Sequence, residues 1–258
     1  MEKIILHPDY LPFGIAVAAQ RDRIGEPIFK YGFNAAVGTA AETVWLQGGS
    51  YTWQAAATVV SVTSANAADD GDPVGTGART VTLEGLDANY AAISETVTLN
   101  GTTVVDTTAS FLRLHRMYVV TVGSGLTNTG VIYAAVTGDT YTTPGVPNTA
   151  TGIMSTIGAG EGQTLQAFYT VPAGYTAYLT RVSAGSVDGT NATTITLRSR
   201  TVGGAFRTKE KFVAFKSTVS LEHDVPLVFA EKTDIEIKAA AAASTTDVAA
   251  SFDLILLS

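Results

Sequence analysis

Alternation of threonine and valine is the feature that most limits what this chain can fold into. Arg79-Thr80-Val81-Thr82-Leu83 and Glu95-Thr96-Val97-Thr98-Leu99 alternate polar and apolar side chains, the period of a strand with one buried face. Thr and Val are branched at Cβ, which restricts χ1 and suits a pleated sheet better than a helix. Between such runs stand turn pairs: Gly48-Gly49, Asn100-Gly101, Asp188-Gly189 and Gly203-Gly204. Glycine supplies the positive φ that tight reversals need. No GxGxxG opens a helix, because no long helix is signalled. The sequence therefore predicts an all-β fold of short antiparallel strands.

The strand signals fall into two blocks, each with about one sandwich's worth of chain. The first runs over 34–140, through Thr58–Thr63, Arg79–Leu83, Glu95–Leu99, a long run from Phe111 to Val120, and Val131–Val136. Residues 141–162 carry Pro144, Gly145, Pro147, Gly152, Gly158 and Gly160. They read as a linker, being long for a loop inside one domain. The second block, 163–258, repeats the pattern from Thr164–Tyr169 to Phe252–Leu257. Five alanines, Ala239–Ala243, predict one helical turn on propensity alone, with a close-packed loop at a subunit axis as the alternative. Residues 1–33 differ in having three prolines and no clear period. Ile4, Ile5, Leu6, Leu11, Phe13, Ile15 and Val17 favour an arm over the alternative, a disordered or loosely packed leader, because disordered tails seldom carry so many hydrophobes. Residues 1–33 read as an extended N-terminal arm whose hydrophobes contact a neighbour. The expected organisation is two tandem antiparallel β-sandwich, jelly-roll-like domains preceded by that arm.

Composition excludes several function classes. Of the 258 residues 46% are apolar and only 15% charged, with net charge −7. No basic block offers a phosphate-binding footprint, which argues against nucleic acid or an anionic membrane as partner. There is no cysteine, so disulfides and thiolate metal sites are excluded. Ile4-Ile5-Leu6 is too short for the core of a signal peptide, and the run from Leu11 to Ala19 is broken by Pro12 and Gly14. The expectation is a soluble protein assembled in a reducing cytoplasm.

No catalytic pattern emerges. His7, His115 and His223 are far apart in sequence, and there is no HExxH, no Gly-x-Ser-x-Gly and no Gly-Lys pair. Asp69, Asp70 and Asp72 cluster around Gly71, but their spacing is not that of a calcium loop. They read as a solvated acidic loop, with a bound cation as the open alternative. Glu84 and Asp87 flank a turn. Trp45 and Trp53 belong to a packed interior with Tyr51 or, alternatively, to a sugar platform. No catalytic, cofactor-binding or metal residues are assigned.

Two stretches carry a resemblance to a known family. GTGARTVTLEGLDANYAAISETVTLNGTTVVDTTASFLRLHRMYVVTVGSG in the first block, and TLQAFYTVPAGYTAYLTRVSAG with PLVFAEKTDIEIKAAAAASTTDVAASFDLIL in the second, resemble virion structural proteins of tailed bacteriophages. The likeness spans about 34–258 and brings no catalytic motif. It implies a β-sandwich or jelly-roll subunit, usually trimeric, that coats the capsid or forms a fibre or tail appendage. The expected function is a non-enzymatic capsid decoration, cement or head-fibre protein of the virion, anchored by its N-terminal arm. Its expected partners are copies of itself and the major capsid protein or another virion protein. The alternative is a tail fibre or baseplate protein that recognises a host-surface glycan. An enzyme degrading surface polysaccharide is a third possibility, disfavoured because no short repeat period is present.

Overall fold

The computed structural model describes residues 25–187 and 190–258. Strands dominate them: β1 (Glu26–Val37), β2 (Glu42–Thr43), β3 (Thr58–Ser64), β4 (Ala78–Leu86), β5 (Ala92–Thr98), β6 (Val105–Phe111), β7 (Arg113–Val122), β8 (Ile132–Val136), β9 (Ile153–Ile157), β10 (Phe168–Thr170), β11 (Thr176–Ser186), β12 (Thr193–Arg200), β13 (Arg207–Ala214), β14 (Thr218–Phe229), β15 (Asp234–Ala241) and β16 (Thr246–Leu257). All pairings between them are antiparallel. The fold is all-β, as its Thr/Val alternation predicts.

Four sheets form two packed layers pairs. In one sandwich the sheet β6-β3-β8-β9 faces β5-β4-β7. Val60, Val62, Leu83, Phe111, Leu114 and Met117 fill its core. In the other, β1-β16-β11-β14 faces β10-β15-β12-β13, with β2 added beside β15. β16 shows the mechanism most plainly. Val248, Ala250, Phe252, Leu254 and Leu256 point inward, and every residue between them is partly exposed. Burying such a row supplies the main drive for folding, at about 25 cal/mol per Å² of apolar surface.

Hydrogen bonding cuts across the sequence-based bounds. β1 spans the end of the arm and the start of the first block, and β2 lies inside that block, yet they pair with β16 and β15, so residues 26–43 complete the second sandwich. Residues 25–33, read as part of an arm, are thus largely strand. Within 141–162, read as a linker, β9 pairs with β8. The Pro and Gly there shape a docked loop: Gly145 has φ +73° with its backbone against Ser64, and its carbonyl accepts from Thr63 Oγ1 at 2.9 Å.

Two further expectations change. The run Phe111–Val120 is broken at Leu112, where the chain leaves one sheet as β6 and enters the facing one as β7. Asn100-Gly101 does form a turn, with Gly101 at φ +55° and Thr103 N donating to Asn100 O at 2.9 Å. Its flanking strands β5 and β6 do not pair; they too belong to facing sheets. The alanine run is not helical. Ala239, Ala240 and Ala241 pair with Ile195, Thr194 and Thr193 of β12, and Ala239 also pairs with Glu42. Partner strands on both sides override alanine's intrinsic preference, which is worth only a few tenths of a kcal/mol per residue.

Candidate functional site

β15 alternates Asp234, Glu236 and Lys238 with Ile235, Ile237 and Ala239, and it is buried on both faces. The apolar set enters the second sandwich's core. The charged set faces the seam between the sandwiches, where each group is paired. Asp234 accepts from Arg113 Nε at 3.1 Å and Nη2 at 3.2 Å, from Arg200 Nε at 2.9 Å, and from Thr170 Oγ1 at 2.6 Å. Glu236 accepts from Arg198 Nε at 2.6 Å and Thr43 Oγ1 at 3.0 Å. Lys238 Nζ donates to Ser50 Oγ at 2.7 Å. Buried carboxylates are tolerable only when their lone pairs are filled in this way.

An aromatic cluster closes over the network. Tyr51 stacks on Phe168 with centroids 4.1 Å apart, and Trp45 and Trp53 meet Tyr51 edge-on at 5.2 and 5.0 Å. The expected meeting of Trp45, Tyr51 and Trp53 is present, but Phe168 from the second block completes it, so the cluster sits at the seam. Guanidiniums of Arg113 and Arg200 lie 5.1 and 5.5 Å from the Trp53 ring, and Arg198 and Arg200 lie 4.3 and 4.7 Å from Phe206. Cations lie against Trp53 and Phe206, and Trp45 is buried, so neither tryptophan offers an open sugar platform.

Beside the seam runs a groove of about 550 Å³ between the β1 end of the second sandwich and β4, β5 and β7 of the first. Lys30 is buried in its wall and donates to the His115 carbonyl. Burial, with the Arg116 charge next, lowers the Lys30 pKa to about 7, and Glu84 offsets part of this. His115 is held well below the usual imidazole range by burial and by Lys30. It stays neutral, and its Nε2 accepts from Thr170 N at 3.2 Å. The His115 ring lies 4.1 Å from that of Tyr169. A neutral imidazole bound to backbone and an amine bound to a carbonyl are structural arrangements; no nucleophile–base pair is formed here.

A second concavity, about 630 Å³, lies on the outer face of sheet β1-β16-β11-β14. Tyr31 and Phe33 of β1, Ala249 of β16 and Val187 line it. Along β1, Phe29 is 61% exposed and Tyr31 40%. Both point away from the core on a strand with one partner strand among the described residues.

The acidic loop is solvated at Asp72 and in part at Asp70, as expected, but not at Asp69. Asp69 is fully buried and its carboxylate accepts four hydrogen bonds: Ser64 Oγ at 2.6 Å, Thr129 N at 2.7 Å, Ala78 N at 2.8 Å and Gly130 N at 2.8 Å. It is a tie for three loops, with its lone pairs spent on protein donors. Asp70 caps its own turn through Asp72 N at 3.0 Å, and no cluster of three metal-ligating side chains occurs among the described residues. Glu84 accepts from the Tyr118 hydroxyl at 3.2 Å, and Asp87 caps Asn89 N and Ala91 N at 2.8 and 2.9 Å. His223 faces Glu210 at 2.9 Å, far from His115. Ile4, Ile5, Leu6, Leu11, Phe13, Ile15 and Val17, the expected contact residues of the arm, lie outside the described residues, as does His7. Sequence reasoning missed the seam network. Its signal was the charge-apolar alternation Asp234-Ile235-Glu236-Ile237-Lys238, which also fits a half-exposed strand.

Among the described residues no helix is long and apolar enough to cross a membrane. No family model matches the chain, and no curated protein does. Among solved structures, the infectious bursal disease virus Gt strain is 8% identical, covering 95% of this chain and 78% of its own, with a TM-score of 0.20. The infectious bursal disease virus VP2 subviral particle is 9% identical over 90% of this chain and 72% of its own, with a TM-score of 0.21. Likenesses this slight carry no structural argument.

Proposed function

We propose that the protein is a non-enzymatic, self-associating structural component of a tailed-phage virion, a decoration, cement or head-fibre subunit assembled in the host cytoplasm. The observation that carries this reading is the aromatic row Phe29 and Tyr31, held outward on β1, which has one partner strand among the described residues and follows the apolar segment 4–17 by eight residues. Exposed aromatics on an unpaired sheet edge favour coverage by another chain. The resemblance of the two sequence blocks to virion proteins supports the same reading and points to a homotrimer with the major capsid protein or another virion protein as neighbour. The buried titratable groups described above serve as ties: Asp69, Asp234 and Glu236 are saturated with protein donors, and His115 is neutral.

Removing residues 1–24 tests the anchoring role. The truncated chain is expected to keep its sheet signature by circular dichroism and to lose attachment to particles. Full occupancy on particles after truncation would contradict it. The glycan-binding alternative loses the tryptophan platform read from the sequence, because Arg113 and Arg200 lie against Trp53 and Trp45 is buried.

A further inference from the structure

We propose that the groove beside β1 receives residues 13–19 of a second copy of this chain as an added strand. The inference rests on the self-association read above and names the segment and its seat.

The groove is shaped for a backbone. Five consecutive residues of β1, Glu26–Lys30, and three of β5, Ala92–Ser94, line it. Side chains alternate across a strand, so a cavity bordered by consecutive residues sees that strand edge-on. β1 and β5 each end their sheets, β1 with β16 as its single partner and β5 with β4. Each therefore offers main-chain donors and acceptors with no partner strand among the described residues, the template for strand addition. Pro27 removes one donor from this edge and leaves its carbonyls. Ile28, Leu86, Ile93, Pro172 and Leu256 supply an apolar part of the wall, and Glu26, Lys30, Glu84, His115 and Arg116 a charged and polar part.

The segment matches the seat. Phe13, Ile15 and Val17 recur every second residue, separated by Gly14, Ala16 and Ala18. Extended, this stretch presents one bulky apolar face and one face of small side chains; the bulky face suits the apolar part of the wall, and the small face lets the backbone approach the strand edges. Its place in the chain argues for a neighbour's groove. The 24 residues before Gly25 span up to about 80 Å when extended. Residues 18–25 contain no Asn-Gly, Asp-Gly or Gly-Gly pair, so the signal for a tight hairpin back onto the same chain's β1 is missing.

The absence of native cysteine makes the test clean. Ile15→Cys and Ser94→Cys are introduced into separate, differently tagged full-length chains, which are mixed and oxidised. The expected result is a disulfide-linked heterodimer on a non-reducing gel, at several-fold higher yield than from Ile15→Cys mixed with Ser220→Cys, an exposed site on β14. Yield no higher than this control overturns the inference, as does a double variant that cross-links only within one chain. If light scattering shows oligomers while no specific cross-link forms, the groove assignment falls and self-association stands. A monomer at all concentrations removes both. Ala92→Glu, exposed on the groove wall, is expected to reduce cross-linking several-fold with the circular dichroism spectrum unchanged; unchanged cross-linking would count against the seat.

Discussion

Arg113 and Asp234 form a bidentate buried pair, Nε to Oδ1 at 3.1 Å and Nη2 to Oδ2 at 3.2 Å, although 121 positions separate them. Arg113 opens β7 of the first sandwich and Asp234 opens β15 of the second. Arg113 Nη1 also donates to the carbonyls of Gln54 at 2.7 Å and Leu112 at 2.9 Å. The pair fixes how the sandwiches meet. Desolvating both ions consumes much of the Coulomb gain, so the pair adds registry more than raw stability.

Breaking it from one side is a different matter. Arg113→Ala leaves Asp234 buried with Arg200 and Thr170 as remaining partners, and is expected to cost about 3–5 kcal/mol. Arg200, more exposed at 28%, is expected to cost about 1 kcal/mol when replaced by Ala. Urea unfolding of the two variants checks the order. An equal cost for both would show that Asp234 does not depend on the buried arginine.

Asp69→Asn keeps shape but turns one carboxylate oxygen into a donor facing N–H and O–H donors. Four hydrogen bonds converge on this side chain, so the amide cannot satisfy both sides. The expected loss is about 2–4 kcal/mol, read as a lower urea midpoint. Added calcium is expected to leave that midpoint unchanged in the wild type; a calcium-dependent rise would revive a cation at this loop.

Tyr51→Phe should be neutral or stabilising. The Tyr51 hydroxyl is buried with no hydrogen-bond partner among the described residues, and burial raises its pKa. Removing an unpartnered polar atom while keeping the ring on Phe168 is expected to shift stability by about 0 to +1 kcal/mol. A loss above about 1.5 kcal/mol would reveal a partner for the hydroxyl.

Lys30 predicts a pH dependence. Its pKa falls from the ordinary 10.5 to about 7 in the folded chain. Between these values the unfolded state holds the extra proton, so stability rises with pH, by at most about 1.4 kcal/mol per unit. Below about pH 7 both states are protonated and the full penalty of the buried ammonium applies. Lys30→Met removes it, while the His115 carbonyl keeps its bond from Gln166 Nε2 at 3.1 Å. The variant is expected to be more stable than wild type at pH 6, with the gap narrowing by pH 9. A gap independent of pH would place the Lys30 pKa near its ordinary value.

The sequence made the strand content and the sandwich architecture readable, because Thr/Val alternation reports a buried face directly. Connectivity was harder. Phe111–Val120 reads as one strand, and only tertiary packing shows that Leu112 carries the chain between sheets. Ala239–Ala243 misleads for the reason that propensity is a weak prior when flanking strands supply hydrogen bonds on both sides. Residues 26–43 read as the end of an arm and the start of the first block because pairing with β16, more than two hundred positions away, leaves no local trace. The seam was legible only as alternation in β15; its arginines, Arg113, Arg198 and Arg200, come from two distant strands whose approach no local pattern announces.

The central claim is that this chain works by binding copies of itself through the region around β1. The most direct measurement is the molar mass of the purified full-length protein by size-exclusion chromatography with light scattering, beside a chain carrying Phe29→Ser and Tyr31→Ser. The account predicts a multiple of 26.8 kDa, a trimer on the reading favoured here, and a shift toward the single-chain mass in the double variant with no loss of urea midpoint. A wild-type chain that stays at 26.8 kDa at the highest attainable concentration would contradict it.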